Sequence, residues 1–216
     1  MPQFRKSVAR EYFESIVVAV LLALFIRTFV VQAFKIPTGS MEPNLLVGDH
    51  LLVNKFVFGP TGSAIERALL PVRDIRRGDI VVFKFPTDPE RDFIKRVIGL
   101  PGETIELRNR QVYVNGQALD EPYAHYLPRP DGGNLAEVTS DDVRDHYGPA
   151  VVGANEFFMM GDNRDNSQDS RYWGFLPRDL VKGRALMIYW SYDAESGGAL
   201  GAITATRWGR LLHQIH

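Results

Sequence analysis

The sequence predicts a mostly β protein: an antiparallel β-sheet catalytic domain with a small inserted β subdomain, preceded by one N-terminal transmembrane helix. Two observations predict this fold. Apolar residues fill most of positions 16–34, and the helical spacing then stops at Pro37. Beyond Pro37, short runs rich in Val, Ile and Phe alternate with turn residues. The chain has 216 residues and 45% hydrophobic content, which suits one domain with a modest insert.

The predicted membrane helix covers residues 16–34. Only three of these residues are polar: Arg27, Thr28 and Gln32. At about 1.5 Å per residue, such a helix nearly matches a hydrocarbon core of about 30 Å. The residues before it include three basic side chains, Arg5, Lys6 and Arg10. The positive-inside rule therefore predicts a single-pass protein whose N-terminus is cytoplasmic and whose remaining chain lies on the far side of the membrane.

Two other interpretations of this segment stay open. The uninterrupted apolar run, residues 16–26, has the length of a secretory h-region, and residues 31–33 fit a signal cleavage site. A buried helix of a soluble protein is the third possibility. The apolar side chains surround the helix instead of forming a stripe, which favours a membrane span over a buried amphipathic helix.

The rest of the chain is predicted to be β. The strand-like runs are residues 49–58, 79–85, 92–98, 111–114, 156–160 and 184–190. Asn115-Gly116 predicts a type I′ hairpin turn, since both central residues of that turn need positive φ. Residues 125–149 are rich in Pro, Gly and charge, which predicts a surface excursion of the insert.

Three segments are therefore expected. They are an anchor at 1–35, a catalytic β domain at 36–103 and 157–216, and an inserted β subdomain at 104–156. The tail, 207–216, alternates basic and apolar residues, which is typical of a terminal helix or an interfacial segment.

Composition excludes several kinds of function. A net charge of −1 gives no basic field for nucleic acid, and the absence of cysteine removes disulfides, thiol nucleophiles and thiolate metal sites. Residues 162–173 begin like a calcium loop, but Arg164 takes a ligand position and Trp173 stands where the bidentate Glu belongs. No metal and no cofactor is predicted.

Ser40 is a candidate nucleophile. It lies with Thr38 in a loop bounded by Pro37 and Pro43, a few residues after the predicted anchor. Prolines stiffen such a loop and can hold a hydroxyl in an exposed position. Most loop serines form turns, so spacing alone leaves Ser40 a modest candidate.

A serine nucleophile needs a base, and three lysines lie in apolar alternating runs: Lys55, Lys84 and Lys95. Burial would lower the pKa of such a lysine from about 10.4 to about 7 or 8, so that the neutral amine could accept a proton. Periodicity does not choose among the three, and a solvated lysine at a strand edge remains the ordinary alternative for each.

Five blocks, in this order along the chain, resemble the type I signal peptidase family. They are residues 37–45 (PTGSMEPNL), 48–56 (GDHLLVNKF), 77–84 (RGDIVVFK), 94–102 (IKRVIGLPG) and 160–174 (MGDNRDNSQDSRYWG). The resemblance extends from the anchor to the C-terminus. It implies a membrane-bound serine endopeptidase with a Ser/Lys dyad that removes signal peptides from exported preproteins.

The resemblance also implies a role for individual residues. Ser40 is the nucleophile and Lys95 the general base, which later acts as the general acid. The Ser40 N–H and the Thr38 hydroxyl form the oxyanion hole. Ser167 orients the lysine amine through a hydrogen bond. The supporting residues are Asp162, Asp169, Arg171 and Arg96, with Asp169 and Arg171 forming an ion pair. The substrate-binding residues are Phe34, Ile36, Val82, Phe93 and Ile94.

The family's substrates have small side chains at the first and third positions before the cut, and they bind by strand addition. The implied location is the bacterial inner membrane, with the lipid bilayer as a partner and the catalytic domain on the extracytoplasmic side. Three positions depart from the family pattern, namely Asn44, His50 and Thr38, and none removes a catalytic group. A maturation peptidase dedicated to one substrate, or a β scaffold without activity, remains an alternative.

Overall fold

Two antiparallel sheets make up most of the fold. The structure, a computed structural model, describes residues 8–27, 31–55, 57–58, 73–128, 142–193 and 205–215. Within these residues there are two α-helices and twelve strands. The prediction of a mostly antiparallel β fold is confirmed.

The elements follow one another along the chain with these bounds. They are α1 (Val8–Phe25), β1 (Val31–Lys35), β2 (Asp49–Asn54), β3 (Ile80–Phe85), β4 (Asp88–Gly99), β5 (Thr104–Arg108), β6 (Gln111–Val114), β7 (Gln117–Ala118), β8 (Tyr147–Val151), β9 (Glu156–Met160), α2 (Ser170–Trp173), β10 (Leu176–Pro177), β11 (Val181–Ser191) and β12 (His213–Gln214). Three 3-10 turns, at Gly39–Met41, Arg178–Leu180 and Trp208–Arg210, complete the described structure.

The larger sheet runs in the order β1-β2-β11-β3-β4-β9-β10, and β12 pairs with β11. Strand β2 is buried at every second residue, as a half-buried strand is, whereas β3 and β9 are buried at nearly every residue. One face packs on a core that includes Ile36, Met41, Ile94 and Ile188. This core lies directly beneath the loop that carries Ser40.

The smaller sheet has the order β7-β6-β5-β8 and is built from residues 104–151. Asn115 (φ 52°) and Gly116 (φ 79°) form the turn between β6 and β7, and both have the positive φ that a type I′ turn requires. The predicted hairpin is thus confirmed. Ile105 and Val112 of this sheet pack against Phe158 of β9, so the two sheets share one hydrophobic cluster.

The prediction that one continuous helix covers residues 16–34 is wrong. Helix α1 ends at Phe25, and Val31–Lys35 is a strand that pairs antiparallel with β2, from Val31 opposite Asn54 to Lys35 opposite His50. No sequence signal marks this strand, because its apolar residues continue the apolar run that begins in the helix. None of the helices in the described part of the chain is long and apolar enough to cross a bilayer. Arg5 and Lys6 lie outside the described residues.

The C-terminal tail does not form the expected helix. Residues Trp208–Arg210 make one 3-10 turn, and β12 then pairs with β11. Ile215 is buried in the core of the larger sheet. The apolar residues of the tail are therefore divided between this core and the surface, where Trp208 and Leu212 are exposed.

Candidate active site

Ser40 lies in the middle of the 3-10 turn Gly39–Met41, and two buried side chains anchor its loop. Ile36 and Met41 on either side are fully buried, and Ile36 exchanges backbone hydrogen bonds with β2 and its preceding turn. Thr38 is extended and its side chain does not cap the turn. Since residues 36 and 41 are fixed in the core, the short segment between them holds the serine in place.

Lys95 lies on β4, and its Nζ is 2.6 Å from Oγ of Ser40. The amine also contacts the Ile94 carbonyl oxygen at 3.1 Å, and the residue is only 3% exposed. Burial lowers the pKa of Lys95 from its ordinary value to about 8, while the carboxylates of Asp169 and Asp162 oppose this effect. A substantial fraction of the amine is therefore neutral near physiological pH.

Packing separates Lys95 from the other two lysines that periodicity left open. Lys84 is exposed on β3, opposite Asp92, and Lys55 is partly exposed after the end of β2. Lys95 is the one that a neighbouring strand and the Ser40 loop both cover. Of these three lysines only Lys95 is buried, and burial lowers its pKa to about 8.

A loop, residues 161–171, holds the serine from the other side, and we call it the catalytic loop. Within it, Asn163 donates from its backbone N to the Ser40 carbonyl oxygen and from Nδ2 to the Gly39 carbonyl oxygen, both at 3.1 Å. A Cβ atom on Gly161 would collide with the Ser40 carbonyl oxygen and with Oγ of Ser167. Glycine at 161 thus permits the close approach of the loop to the serine.

Asp169 and Arg171 form a buried, bidentate ion pair. Nε and Nη2 of Arg171 each lie 2.8 Å from an Asp169 carboxylate oxygen, and both side chains are fully buried. Asp169 also caps α2 by accepting from the Arg171 backbone N, and it accepts from the Gly161 N at 3.1 Å. The ion pair that the family resemblance implied is therefore present, and it forms at the N-cap of α2.

Asp162 pairs with Arg96 and does not join the Asp169 pair. Nε and Nη2 of Arg96 lie 2.8 and 2.7 Å from the Asp162 oxygens, and Nδ2 of Asn44 donates to Asp162 at 2.8 Å. Arg96 is adjacent to Lys95 on β4, so its side chain points to the opposite side of the strand. Asn44, one of the departures from the family pattern, thereby supports the same carboxylate.

The hydrogen bond predicted from Ser167 to the Lys95 amine is not formed. Among the described residues Oγ of Ser167 has no hydrogen-bond partner, although it is buried. The second hydrogen bond of the Lys95 amine goes to the Ile94 carbonyl oxygen instead. Ser167 nevertheless lies close to the nucleophile, because it and the Ser40 carbonyl oxygen border Gly161 together.

A groove of about 460 Å³ opens onto Ser40 and Lys95. Three of the five predicted substrate-binding residues line it: Phe34, Phe93 and Ile94. The other two, Ile36 and Val82, are buried in the core beneath. Sequence reasoning missed four polar residues of the groove, and these are Arg91, Asp92, Asn166 and Gln168. Arg91, Asn166 and Gln168 are exposed and Asp92 is partly exposed, and polar side chains at such positions give no periodic signal.

No group of three acidic or His side chains in the described residues is arranged to hold a metal ion. The polar groups beside Ser40 in the groove include a hydroxyl, a buried amine and the backbone N–H groups of its turn. These are the groups required for acyl transfer: a nucleophile, a proton acceptor, and N–H groups to stabilise an oxyanion.

Comparison with known proteins identifies the family of this chain. A family model described as signal peptidase, peptidase S26, matches residues 9–190. Signal peptidase I of Pseudomonas aeruginosa is 36% identical over 212 residues, covering 84% of this chain and 72% of that protein. Signal peptidase I of Aquifex aeolicus is 36% identical over 223 residues, covering 82% of each. A crystal structure of signal peptidase I from Enterococcus faecalis has 31% identity and a TM-score of 0.41, covering 52% of this chain and 97% of that one.

The protein is therefore an enzyme of the serine endopeptidase class. More particularly, the chain belongs to the signal peptidase family, peptidase S26, whose signal peptidase I members are its relatives over most of their length. The resemblance inferred from the five blocks is confirmed. Cleavage of signal peptides is its activity.

Proposed function

We propose that this chain removes signal peptides from exported preproteins with Ser40 as the nucleophile and Lys95 as the general base. The observation that carries the proposal is the 2.6 Å distance between a buried lysine amine and a serine hydroxyl at one groove. A nucleophile and a base at hydrogen-bond distance are the geometric requirement for activated serine chemistry.

In the proposed mechanism the neutral Lys95 amine accepts the Ser40 hydroxyl proton as Oγ attacks the scissile carbonyl carbon. The tetrahedral intermediate then breaks its C–N bond, and the protonated amine donates that proton to the leaving nitrogen. Water next attacks the resulting ester, and neutral Lys95 accepts the proton of the water. Return of the proton to Oγ releases the signal peptide and restores the dyad.

The oxyanion is proposed to bind the Ser40 N–H and the Thr38 hydroxyl. Ser40 lies within the first turn of a 3-10 helix, where N–H groups have no acceptor inside the helix. Thr38 lines the groove, and its hydroxyl is not used as a helix cap. Both donors are thus available to charge that develops only in the tetrahedral intermediate.

Thr38→Val is expected to lower kcat about 10- to 100-fold with little change in KM, because it removes one oxyanion donor without changing the side-chain volume much. Steady-state kinetics on a preprotein measures both constants. Thr38→Ser keeps the hydroxyl and should lose less than about threefold. Equal losses in the two variants would exclude the hydroxyl as a donor.

The preprotein is proposed to bind as an added strand along β4. Strand β9 pairs with β4 only at Arg96, Val97 and Gly99, so residues 91–95 run along the groove without β9 beside them. An extended peptide can use backbone groups at such an edge. Phe34, Phe93 and Ile94 give the groove apolar walls that suit the small side chains expected before the cut.

Activity is expected to rise with pH and to level off above about pH 8. The base must be neutral, so the active fraction falls as pH drops below the pKa of Lys95, which burial lowers to about 8. The measurement is kcat/KM between pH 6 and 10, with chemistry shown to limit the rate. A constant value across that range would contradict an amine base.

We also propose that the enzyme associates with a membrane through α1. No residue of α1 is buried, and many of its large apolar side chains are exposed, including Phe13, Ile16, Leu21, Leu22 and Phe25. An apolar surface of this size favours a lipid surface or a protein partner over water. The cytoplasmic location of the N-terminus stays a prediction.

A further inference from the structure

Residues 121–127, which we call the bracing segment, follow β7 and run beside the catalytic loop. The His125 N donates to the Asp162 carbonyl oxygen at 2.7 Å, and the Arg164 N donates to the His125 carbonyl oxygen at 2.9 Å. The two chains thereby form a parallel bridge between His125 and Asn163. A segment connected to the smaller sheet is thus hydrogen-bonded to the loop that holds the serine.

Glu121 of the bracing segment neutralises a buried cation in the catalytic loop. Its carboxylate lies 2.5 Å from Nη2 and 2.9 Å from Nη1 of Arg164. Only 7% of the Glu121 side chain and 1% of the Arg164 side chain is exposed. Breaking a buried pair by removing one partner leaves an uncompensated charge, which must then be rehydrated or moved.

Arg164 in turn joins the two parts of the catalytic loop. Its Nε donates to the Gly161 carbonyl oxygen at 3.2 Å, and its own carbonyl oxygen accepts from Nη2 of Arg171 at 2.7 Å. Gly161 borders Ser40, and Arg171 holds Asp169. Displacement of Arg164 towards water would therefore disturb the supports of the nucleophile and the carboxylate that acts on Lys95.

Tyr123 makes a second, independent contact from the bracing segment. Its ring centroid is 4.0 Å from Cζ of Arg96, the residue that holds Asp162. The Tyr123 carbonyl oxygen accepts from Nδ2 of Asn44 at 2.9 Å. Stacking of a guanidinium on a phenol ring at this distance fixes the orientation of the guanidinium.

We propose that Glu121 is a positioning residue for signal-peptide cleavage: by compensating Arg164 it fixes the catalytic loop, so the insert forms part of the active-site framework. This inference rests on the proposed roles of Ser40 and Lys95. Glu121 touches neither the groove residues Ser40 and Lys95 nor the reacting bond. It acts through Arg164.

The test compares Glu121→Gln with Glu106→Gln in the full chain. Glu106 belongs to the same insert, but its partner is Arg108 on the same strand, and their pair is at the surface. Both variants are assayed at a temperature where melting curves show that they are fully folded. Glu121→Gln should then lower kcat about tenfold and leave KM within about twofold, because misplaced catalytic groups slow the reaction without weakening substrate binding. Glu106→Gln should match the wild type.

A cycle with Arg164→Met tests whether Glu121 acts through the arginine. In Arg164→Met the Glu121 carboxylate has no cation left to compensate, so adding Glu121→Gln should leave kcat within about twofold or raise it. A full further tenfold loss would overturn the proposed route. Equal kcat in Glu121→Gln and Glu106→Gln would overturn the positioning role.

If Glu121→Gln does not fold, a comparison of kcat between Tyr123→Leu and Tyr113→Leu tests whether the bracing segment supports the active site. Tyr113 stacks on Arg108 within the insert and gives the matched control. Tyr123→Leu should lower kcat at least about threefold relative to that control, and equal rates would overturn the role of the segment.

Ser40→Ala is assayed in parallel. If it stays active the proposed function fails, whereas an inactive Ser40→Ala with an unimpaired Glu121→Gln defeats only the positioning role.

Discussion

Ser40→Ala should lower kcat for preprotein cleavage by about 10⁴-fold or more, because it removes the atom that forms the acyl bond. The groove, the oxyanion donors and Lys95 remain, so KM should change little and a small residual rate above that of water should persist. Single-turnover cleavage of a labelled preprotein, with enzyme in excess, measures losses of this size.

Ser15→Ala is the matched control for this variant. Ser15 lies on α1, where its hydroxyl donates to the Glu11 carbonyl oxygen. The same hydroxyl deletion there should leave the rate at the wild-type value. A Ser40→Ala enzyme that cleaves within about tenfold of the Ser15→Ala rate would show that another group attacks the substrate.

Lys95→Met is expected to cause a loss of similar size, about 10³-fold or more in kcat, because it removes the proton acceptor and donor while keeping a long, flexible side chain. Lys84→Met is the matched control, since Lys84 is exposed one strand away on β3. The control should retain the wild-type rate. Similar losses in both variants would point to a general effect of removing a positive charge.

The stability of Lys95→Met separates lost chemistry from misfolding. Burial lowers the pKa of Lys95 from 10.5 to about 8, so below pH 8 the folded protein must hold a charge that the unfolded chain keeps more easily. At about 1.4 kcal/mol per pH unit this costs roughly 3 kcal/mol, less whatever the contact with Ser40 returns. The variant should therefore be more stable than the wild type at pH 7.

The sign of the pH dependence follows from proton binding. Between about pH 8 and 10.5 the unfolded wild type binds one more proton than the folded protein, so wild-type stability rises with pH and the advantage of Lys95→Met disappears. Urea unfolding at pH 7 and near pH 10.5 measures this change. A difference between the two proteins that does not vary with pH would contradict a depressed lysine pKa.

Local pattern was sufficient for most of the β fold. The predicted runs at 79–85, 111–114, 156–160 and 184–190 lie on β3, β6, β9 and β11. Alternation identifies β6, whereas β3 and β9 are buried at nearly every residue and are identified as short apolar runs bounded by turn residues. The pattern fails at β1, because the apolar residues of this strand follow the apolar residues of the helix and are interrupted only by Arg27, Thr28 and Gln32.

The candidate site needed more than local pattern. Alternation identified Lys55, Lys84 and Lys95 alike, and only the packing of the Ser40 loop over β4 buries one of them beside the hydroxyl. Nor did the sequence predict the pairing of Glu121 with Arg164, because 43 residues separate the two and no spacing rule relates them.

The central claim is that a neutral amine at position 95 activates Ser40. The most direct test removes this amine by substitution and then restores it by chemical modification. The chain has no cysteine, so Lys95→Cys introduces a single thiol, which 2-bromoethylamine converts into a lysine analogue with sulfur in the side chain. Lys84→Cys, treated in the same way, is the control.

The unmodified Lys95→Cys enzyme should be inactive. Alkylation should restore cleavage, and the pH at which activity rises should be lower than in the wild type, because the sulfur withdraws electrons and lowers the pKa of the new amine. An unmodified variant that cleaves at the wild-type rate, or an alkylated enzyme that recovers nothing while remaining folded, would contradict the account.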